Sequence, residues 1–269
     1  MGEIFLRGQI LLPVAGSRRT LLNANGTPAD AMLFEIALPD GFEDLPPLPI
    51  ARESPHPGEE VLLIGFGRER ERVVEVQSDG PAQFGFSWTQ KGSKRWGTNR
   101  IATIDEMLYQ GSWTTHSFAL VFDPPGTAQA TGFEAQAAVG DSGGAVFVKR
   151  SGEWLLAGMM TSVTGFSRAP AQTSMYGDST YAADLVSYRG EILHWSRPAC
   201  SNEEDDDGDL AIDYPADSGC ASAKDETERD GSGSPLVLRG VIAALAATLA
   251  LATLVRLRWG RGARSPGAG

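Results

Sequence analysis

The sequence is poor in positive charge relative to negative charge. Its 269 residues include 23 lysines and arginines against 34 aspartates and glutamates, which gives a formal net charge of −11. Much of the acid lies between Glu203 and Asp230, and basic residues cluster after Arg256. A chain of this charge repels phosphate, so nucleic acid is not an expected partner.

Cysteine is scarce. The only two, Cys200 and Cys220, flank the acidic stretch near the C-terminus. Two thiols this close in the chain indicate a disulfide formed in an oxidising compartment. The alternative, two free thiols, stays open at the level of sequence.

No signal peptide is visible at the N-terminus. The first residues, MGEIFLRGQILLPVAGSRR, have too short an apolar run and alternate like a β-strand. The absence of a signal peptide conflicts with the export that a predicted membrane helix near the C-terminus, described next, implies.

Long apolar runs are absent until LVLRGVIAALAATLALATLV, which begins at Leu236. The run is long enough to cross a bilayer, and we predict a transmembrane helix over 236–257. Arg256, Arg258 and further arginines follow directly, so the positive-inside rule places the basic tail, 258–269, in the cytoplasm and the preceding chain outside. A buried soluble helix would need a polar face that this run lacks. Small residues, an apolar run and arginines in this order are also similar to a processed C-terminal sorting signal, and a plain anchor is the simpler interpretation.

The body of the chain reads as short β-runs separated by turn residues. They include VLLIGFG at 61–67, SFALVFD at 117–123 and WLLAGMMTSV at 154–163. This rhythm predicts an all-β fold of sandwich or barrel type. Tyr181, Leu185, Tyr188 and Ile192 share one helical face, which predicts a closing helix that ends near Trp195, before Pro198.

Residues 140–147, GDSGGAVF, have the composition of a nucleophile turn. Serine attacks a carbonyl only when its proton is removed and the oxyanion is stabilised, and glycines let the amides of Gly140 and Ser142 point at one spot. The stretch also fits the G-x-S-x-G elbow of α/β-hydrolases, with Asp178 or Asp184 and His194 as partners. That elbow requires a helix after the serine, whereas this sequence predicts a strand.

GDSGGAVF resembles the nucleophile segment of the trypsin/chymotrypsin-like serine proteases. DAMLFEIALP at 30–39, VLLIGFG and WLLAGMMTSV resemble further segments of that family, so that the resemblance covers about residues 20–197. It implies two antiparallel β-barrels with the active site between them, followed by a C-terminal helix.

The resemblance implies a role for each matching residue. Ser142 is the expected nucleophile, Asp30 the acid that orients a histidine, and the Gly140 and Ser142 amides the oxyanion hole. The expected specificity pocket comprises Gln136, Thr161, Ser162 and Val163. Its uncharged floor at Gln136 does not support a preference for lysine or arginine. Asp141 is expected to pair, as in the family, with an amino terminus freed by activation cleavage, so that a chain without such a terminus is expected to fold poorly.

Two features depart from the family pattern. The cysteine usual before the nucleophile is replaced by Ala137, Ala138 and Val139, and no histidine precedes Asp30. We interpret His56 as solvated, His116 as a strand residue and His194 as a helix residue. The chain therefore lacks a general base and the first strands of its first barrel. Either the true start lies upstream of Met1 or the histidine has been lost.

The acidic stretch carries its own pattern. Asp205, Asp207, Asp209 and Asp213 occupy positions 1, 3, 5 and 9 of a loop that resembles the D-x-D-x-D-G calcium loops of thrombospondin type 3-like segments. Hard oxygen ligands at alternating positions suit Ca²⁺. Leu210 stands where such loops have glycine, and an acidic spacer is the alternative.

These observations predict four regions: a trypsin-like domain at 1–198 with an incomplete first barrel, a calcium-loop segment at 199–231, the membrane helix and the tail. The expected function is that of an exported, membrane-anchored serine endopeptidase that acts on peptides by acyl-enzyme chemistry, needs no catalytic cofactor, and is inactive in this form. The alternatives are a catalytically dead binding module on the cell surface and a calcium-dependent adhesion stalk.

Overall fold

The structure is a computed structural model, which describes residues 4–6, 8–38, 48–77, 80–165 and 169–229. The chain divides into two units, with the boundary between Arg197 and Pro198. The predicted membrane helix, 236–257, and the basic tail, 258–269, lie outside the described residues. No helix within the described ranges has both the length and the apolar character needed to span a bilayer.

The first unit is all-β with one helix in the part that is described, as the sequence predicts. In chain order its elements are β1 (Ile4–Leu6), β2 (Gln9–Leu11), β3 (Arg19–Leu22), β4 (Pro28–Leu33), β5 (Glu60–Gly65), β6 (Arg68–Val76), β7 (Gln83–Gly92), β8 (Arg95–Gln110), β9 (Trp113–Val121), β10 (Ala145–Arg150), β11 (Glu153–Val163), β12 (Thr173–Met175), β13 (Ser179–Asp184) and α1 (Arg189–Ser196).

Six of these strands close into an antiparallel barrel in the order β5-β8-β9-β13-β11-β10. Pairing of β5 with β10, with Ile64 opposite Ala145, closes the ring. The strands β5, β8 and β9 are successive neighbours, and β10 returns to lie beside β5, which is a Greek-key order.

Alternating apolar side chains fill the barrel. Val61 and Leu63 of β5 and Val146 and Val148 of β10 point inward and are buried, whereas Leu62 and Phe147, which alternate with them, are only half-buried. Asn99 is the largest polar side chain buried in the barrel strands, at 1 % exposure, and its side-chain amide donates to the carbonyls of Val121 and Ala135. The barrel core is therefore apolar, and the polar side chain of Asn99 is hydrogen-bonded.

The N-terminal strands form two hairpins, β1-β2 and β3-β4, joined by a bridge between Pro13 and Ile36. Within the described residues these strands do not close into a second barrel. Ala29 and Ala31 of β4 are buried against a cluster that includes Tyr188 and Ile192. The hairpins thus pack on the region around α1.

A third layer comes from a three-stranded sheet in the order β12-β7-β6. The long β6-β7 hairpin follows β5 directly, and its partner β12 precedes the last barrel strand. This sheet stands beside residues 65–68, where the chain leaves the barrel, and so helps to shape the surroundings of the predicted nucleophile turn.

The closing helix is shorter than the helical pattern of the sequence predicts. Tyr181 lies in β13 rather than in a helix, because that strand hydrogen-bonds to β11 on one side and to β9 on the other. Leu185 and Tyr188 belong to the turn that follows. Helix α1 begins at Arg189 and ends at Ser196, so the predicted end is confirmed and the predicted start is wrong.

The second unit has little regular structure in its described part beyond a short 3₁₀ helix, Ala199–Ser201. Cys200 and Cys220 form a disulfide and are both buried, which confirms the predicted pair. The segment is too acidic to form a hydrophobic core, and the disulfide stabilises it by a covalent cross-link instead.

Candidate functional site

Residues 138–144, here called the glycine turn, carry the predicted nucleophile immediately before β10. Hydrogen bonds fix its shape: Asp141 N–H donates to the Ala138 carbonyl at 3.0 Å, and Gly144 N–H donates to the Asp141 carbonyl at 2.8 Å. Gly143 N–H reaches across to the Met160 carbonyl of β11 at 2.8 Å. Gly140 has a φ of +97°, which only glycine adopts readily. A strand follows the turn, as predicted, which excludes the strand–turn–helix elbow of α/β-hydrolases.

Three amides of the glycine turn, those of Val139, Gly140 and Ser142, have no acceptor among the described residues. The N–H groups of Asp141, Gly143 and Gly144 all have backbone acceptors. Those of Gly140 and Ser142 have no acceptor anywhere in the described ranges, and both residues are exposed. These are the two donors that the sequence predicts for an oxyanion hole. The Ser142 hydroxyl likewise has no hydrogen bond to any described residue.

Asp141 lies beneath the glycine turn and is buried, with 6 % exposure. Its carboxylate accepts the N–H of Gly67 at 2.5 Å and the N–H of Ala138 at 2.8 Å. The guanidinium of Arg95 lies 3.9 Å from its second oxygen. The premise that Asp141 has no partner in this chain is therefore wrong, because the β5–β6 connection and the turn itself each supply a donor and β8 supplies a cation.

Three glycines leave space for this arrangement. A Cβ placed on Gly65 or Gly67 would overlap the Asp141 carboxyl group, and one on Gly144 would collide with the Ile64 carbonyl and the Met160 side chain. The glycine-ending strand VLLIGFG thus lets a carboxylate approach its backbone closely.

Asp30 lies on β4 with an exposed side chain, on the face opposite to the buried Ala29 and Ala31. Its backbone N–H donates to the Thr115 hydroxyl of β9 at 2.9 Å. The structure describes no contact between Asp30 and Ser142. The role of Asp30 as the orienting acid stays a prediction.

The three histidines occupy separate places in the first unit. His56 is exposed in the proline-rich connector, and His194 is exposed on α1 with its ring against Trp195. His116 is half-buried in β9 and packs edge-on against Tyr188, with 6.3 Å between the ring centres. No described contact brings any of them to Ser142, so none is identified here as its base.

A cavity of about 700 Å³ opens on the Asp141 side of the glycine turn. Gln136, the predicted pocket floor, lines it, and its side-chain oxygen is buried with no partner in the described residues. Thr161, Ser162 and Val163 lie on β11 outside the cavity lining, and the Thr161 hydroxyl donates to the Tyr181 carbonyl. The cavity wall instead includes Arg68, Arg70, Arg95, Phe86, Trp88 and Tyr176.

Two carboxyl groups on this wall have altered acidity. Burial raises the pKa of Asp123, and burial also raises the pKa of Glu134 against the hydrogen bonds that it accepts from Thr131 and the Asp123 N–H. Glu134 makes its bonds within its own loop, at 2.8–3.1 Å. It therefore organises the cavity rim rather than reaching into the cavity.

Sequence reasoning missed Arg95 and the role of Gly67. The repeated glycine of GFG was a usable signal for a close backbone approach. Arg95 gave none, since an arginine after a KGSK turn is an ordinary surface residue until β5 and β8 are paired.

The acidic loop, residues 205–217, lies in the second unit. Carboxylate oxygens of Asp205, Asp207 and Asp209 lie within 4.8 Å of one another. Hydrogen bonds from the N–H groups of Gly208 and Leu210 lower the pKa of Asp205. Leu210 has a φ of +77°, so the backbone adopts at this position a left-handed conformation that glycine adopts more readily.

Further acidic side chains complete this region. Asp217 is 2 % exposed, and one of its oxygens is buried with no partner among the described residues, as is one oxygen of Asp213. Desolvation and the nearby charges of Asp209 and Asp217 raise the pKa of Asp207. Glu228 is buried and accepts the N–H groups of Asp206 and Asp213. Asp217 was not recognised in the sequence as part of the site.

Comparison with known proteins gives no family: no family model matches the chain, and no curated protein matches it.

Proposed function

We propose that this chain carries the nucleophile half of a serine-type hydrolase of the trypsin-like kind, with peptides as its substrates. The observation that carries the proposal is the pattern of the glycine turn. The Gly140 and Ser142 amides have no acceptor in the described residues, whereas the amides of Asp141, Gly143 and Gly144 are bonded. Two fixed, unpaired N–H groups beside an exposed serine form the donor arrangement that stabilises an acyl-transfer oxyanion.

The chemistry follows from that arrangement. The Ser142 oxygen attacks the peptide carbonyl carbon, and the carbonyl oxygen takes up negative charge facing the two amides. The amine leaves with a proton and the acyl group stays on Ser142 until water displaces it. The serine proton needs an acceptor, and in the described residues no histidine contacts Ser142.

The fold is compatible with the trypsin-like assignment. The closed Greek-key barrel would be the second of two barrels. The N-terminal hairpins expose large apolar side chains, including Leu12 at 67 % and Met32 at 44 %. Exposed apolar side chains of this size suit a surface that another element covers, so these side chains would line the interior of a first barrel. A disulfide fits an exported protein, and the proposed anchor at 236–257 would hold it at a membrane.

Chemical rescue tests the proposal. The full chain is treated with a fluorophosphonate probe, with and without imidazole in solution, and the labelled residue is identified by mass spectrometry. Free imidazole can replace a missing general base, so we expect labelling of Ser142 to accelerate by about tenfold or more. The matched variants are S142A, which abolishes the label, and S112A at another exposed serine, which does not.

The catalytically dead binding module is the competing function. It predicts no label on Ser142 at any imidazole concentration while the barrel stays folded. That result would overturn the hydrolase proposal and leave peptide binding to be tested directly.

We also propose that the acidic loop binds Ca²⁺. The supporting observation is the buried, unpartnered oxygen of Asp217, whose charge acts on Asp207 of the cluster of Asp205, Asp207 and Asp209; Asp213 of the same loop has a second such oxygen. Buried carboxylate oxygens without donors are costly unless a cation satisfies them. These five side chains would hold the ion, whose role is to order the segment rather than to take part in catalysis.

Calorimetric titration of the full chain with CaCl₂ tests this site. We expect one ion to bind, and D217N to weaken its binding by about tenfold or more because it removes a charged ligand. E226Q removes an exposed carboxylate from the same segment and serves as the control. Absence of binding at about millimolar Ca²⁺ would rule the site out.

A further inference from the structure

We propose that Arg95 is a positioning residue, which holds the glycine turn in its oxyanion-binding shape through Asp141. The inference rests on the proposed hydrolase function and adds a statement about regulation. The turn is assembled by strands of its own domain and does not depend on an amino terminus released by cleavage.

The charge of Asp141 requires such a partner. A buried carboxylate is costly unless donors and a cation compensate it. The Gly67 and Ala138 amides supply two hydrogen bonds, and neither carries a net charge. Arg95 supplies the positive charge, with its guanidinium nitrogen 3.9 Å from Asp141 and its side chain 34 % exposed. The backbone of Asp141 lies between Gly140 and Ser142, whose amides are the two proposed oxyanion donors.

The position of Arg95 follows from strand register. Arg95 opens β8 directly opposite Gly65 of β5, and Gly65 is one of the two glycines against which the Asp141 carboxyl group rests. Nearby backbone bonds hold the surrounding segments: at the start of β6, Arg68 N–H donates to the Val139 carbonyl of the turn at 3.0 Å, and Ser93 N–H, just before β8, donates to the Gly67 carbonyl at 3.2 Å. The barrel therefore fixes the backbone of Arg95 beside the turn, from where its guanidinium reaches the Asp141 carboxylate.

This arrangement has a regulatory consequence. An enzyme whose buried aspartate waits for a new chain terminus is switched on by cleavage. Here the carboxylate already has two donors, one from the β5–β6 connection and one from the turn itself, and a cation from β8, so the turn is expected to be in place as soon as the domain folds. Control of activity would then depend on supply of the general base rather than on assembly of the oxyanion donors.

Hydrogen exchange tests the positioning role without needing catalysis. The variants are R95Q, which removes the charge, R95K, which keeps it, and R72Q, which removes an exposed arginine of β6. In R95Q we expect the amides of Gly143 and Gly144 to exchange about tenfold faster, with R95K between R95Q and the parent and R72Q unchanged. Unchanged exchange in R95Q would overturn the proposal.

Two further measurements keep the outcome clear. Thermal unfolding of each variant separates local opening from global loss of stability. If R95Q fails to fold, hydrogen exchange is compared between R95K and the parent. Equal exchange in those two proteins then refutes the proposal. Imidazole-assisted labelling of Ser142 should slow in R95Q in step with the faster exchange. If the parent is never labelled, the hydrolase function fails, whereas the exchange result still decides the role of Arg95.

Discussion

At the scale of single residues, the glycine turn depends on side chains that are absent as much as on those that are present. Gly65 and Gly67 allow the Asp141 carboxyl group to lie against the strand backbone, where it accepts the Gly67 N–H. Neither glycine has a positive φ, so both are required for space rather than for backbone conformation. This separates them from Gly140, which is required for its φ of +97°.

Replacing Gly67 by alanine tests the requirement for space. The new methyl group would overlap the Asp141 carboxyl group, and relief requires a shift of the turn or of β5. We expect G67A to lower the free energy of unfolding by about 1–3 kcal/mol, measured by urea denaturation. G132A is the matched control because a Cβ there meets nothing within 4 Å. Equal stability of G67A and G132A would contradict the tight approach.

A second residue-scale prediction concerns Arg150 at the end of β10. Its guanidinium donates to both oxygens of Glu59, at 3.0 and 2.9 Å, and to the carbonyls of Glu53 and Ser54. Burial raises the pKa of Glu59, but the hydrogen bonds from Arg150 and from His56 N–H outweigh it and lower that pKa below its usual 4.5. Ionised Glu59 thus stabilises the fold.

The sign of the pH effect follows. A lowered pKa in the folded state gives stability that is present above the unfolded pKa and lost as pH falls through the folded pKa. We expect R150M to lower the free energy of unfolding by about 1.5–3 kcal/mol near neutral pH. This loss should become smaller as the pH falls from about 6 to about 3. Urea denaturation of R150M and of R72M across that range measures it. A penalty independent of pH would show that Arg150 acts by packing alone.

At the scale of elements, a buried polar network attaches the N-terminal hairpins to the barrel. The Tyr188 hydroxyl donates to the Asn23 side chain at 2.8 Å and accepts the N–H of His116 at 2.9 Å. Asn23 in turn donates to the Thr114 carbonyl at 2.6 Å. Three segments therefore meet at one hydroxyl: the turn after β3, strand β9 and the residue before α1.

Removing that hydroxyl tests how the hairpins are held. Y188F keeps the ring in the apolar cluster but leaves the Asn23 and His116 groups without their partner. We expect a loss of about 1–3 kcal/mol, with faster hydrogen exchange in β3 and β4. The control is Y109F, since Tyr109 is 75 % exposed. Unaltered exchange in the hairpins would show that apolar packing alone holds them.

The elements also show how far the sequence could be used for prediction. Strands such as β5 and β10 were predictable because each is a short apolar run rich in valine or other large apolar residues and bounded by glycine or charged residues. The start of α1 was not, because the helical spacing of Tyr181 to Ile192 also suits a buried strand and a turn. The Arg95–Asp141 contact depends on the register of β5 with β8, and one chain carries no local signal for such a long-range pairing.

At the scale of the whole molecule, the two units are stabilised by different means. The first unit has an apolar barrel core, with Phe118 and Leu120 at 1 % exposure. The described part of the second unit, residues 198–229, has a disulfide and a set of carboxylates and no apolar cluster of its own. An acidic segment of this kind gains stability from a cross-link and from cation binding, both of which depend on the surroundings of the protein.

Loss of the disulfide should therefore affect the second unit selectively. The cross-link closes a separation of 20 residues, for which about 3 kcal/mol is expected. It also holds the acidic loop, because Tyr214 N–H donates to the Cys200 carbonyl and Cys220 N–H donates to the Asp217 carbonyl. In the C200S/C220S double variant we expect fast hydrogen exchange over residues 200–228 and weaker Ca²⁺ binding, with barrel amides such as that of Phe118 still protected. Ca²⁺ affinity equal to that of the parent would mean that the carboxylates order the loop without the cross-link.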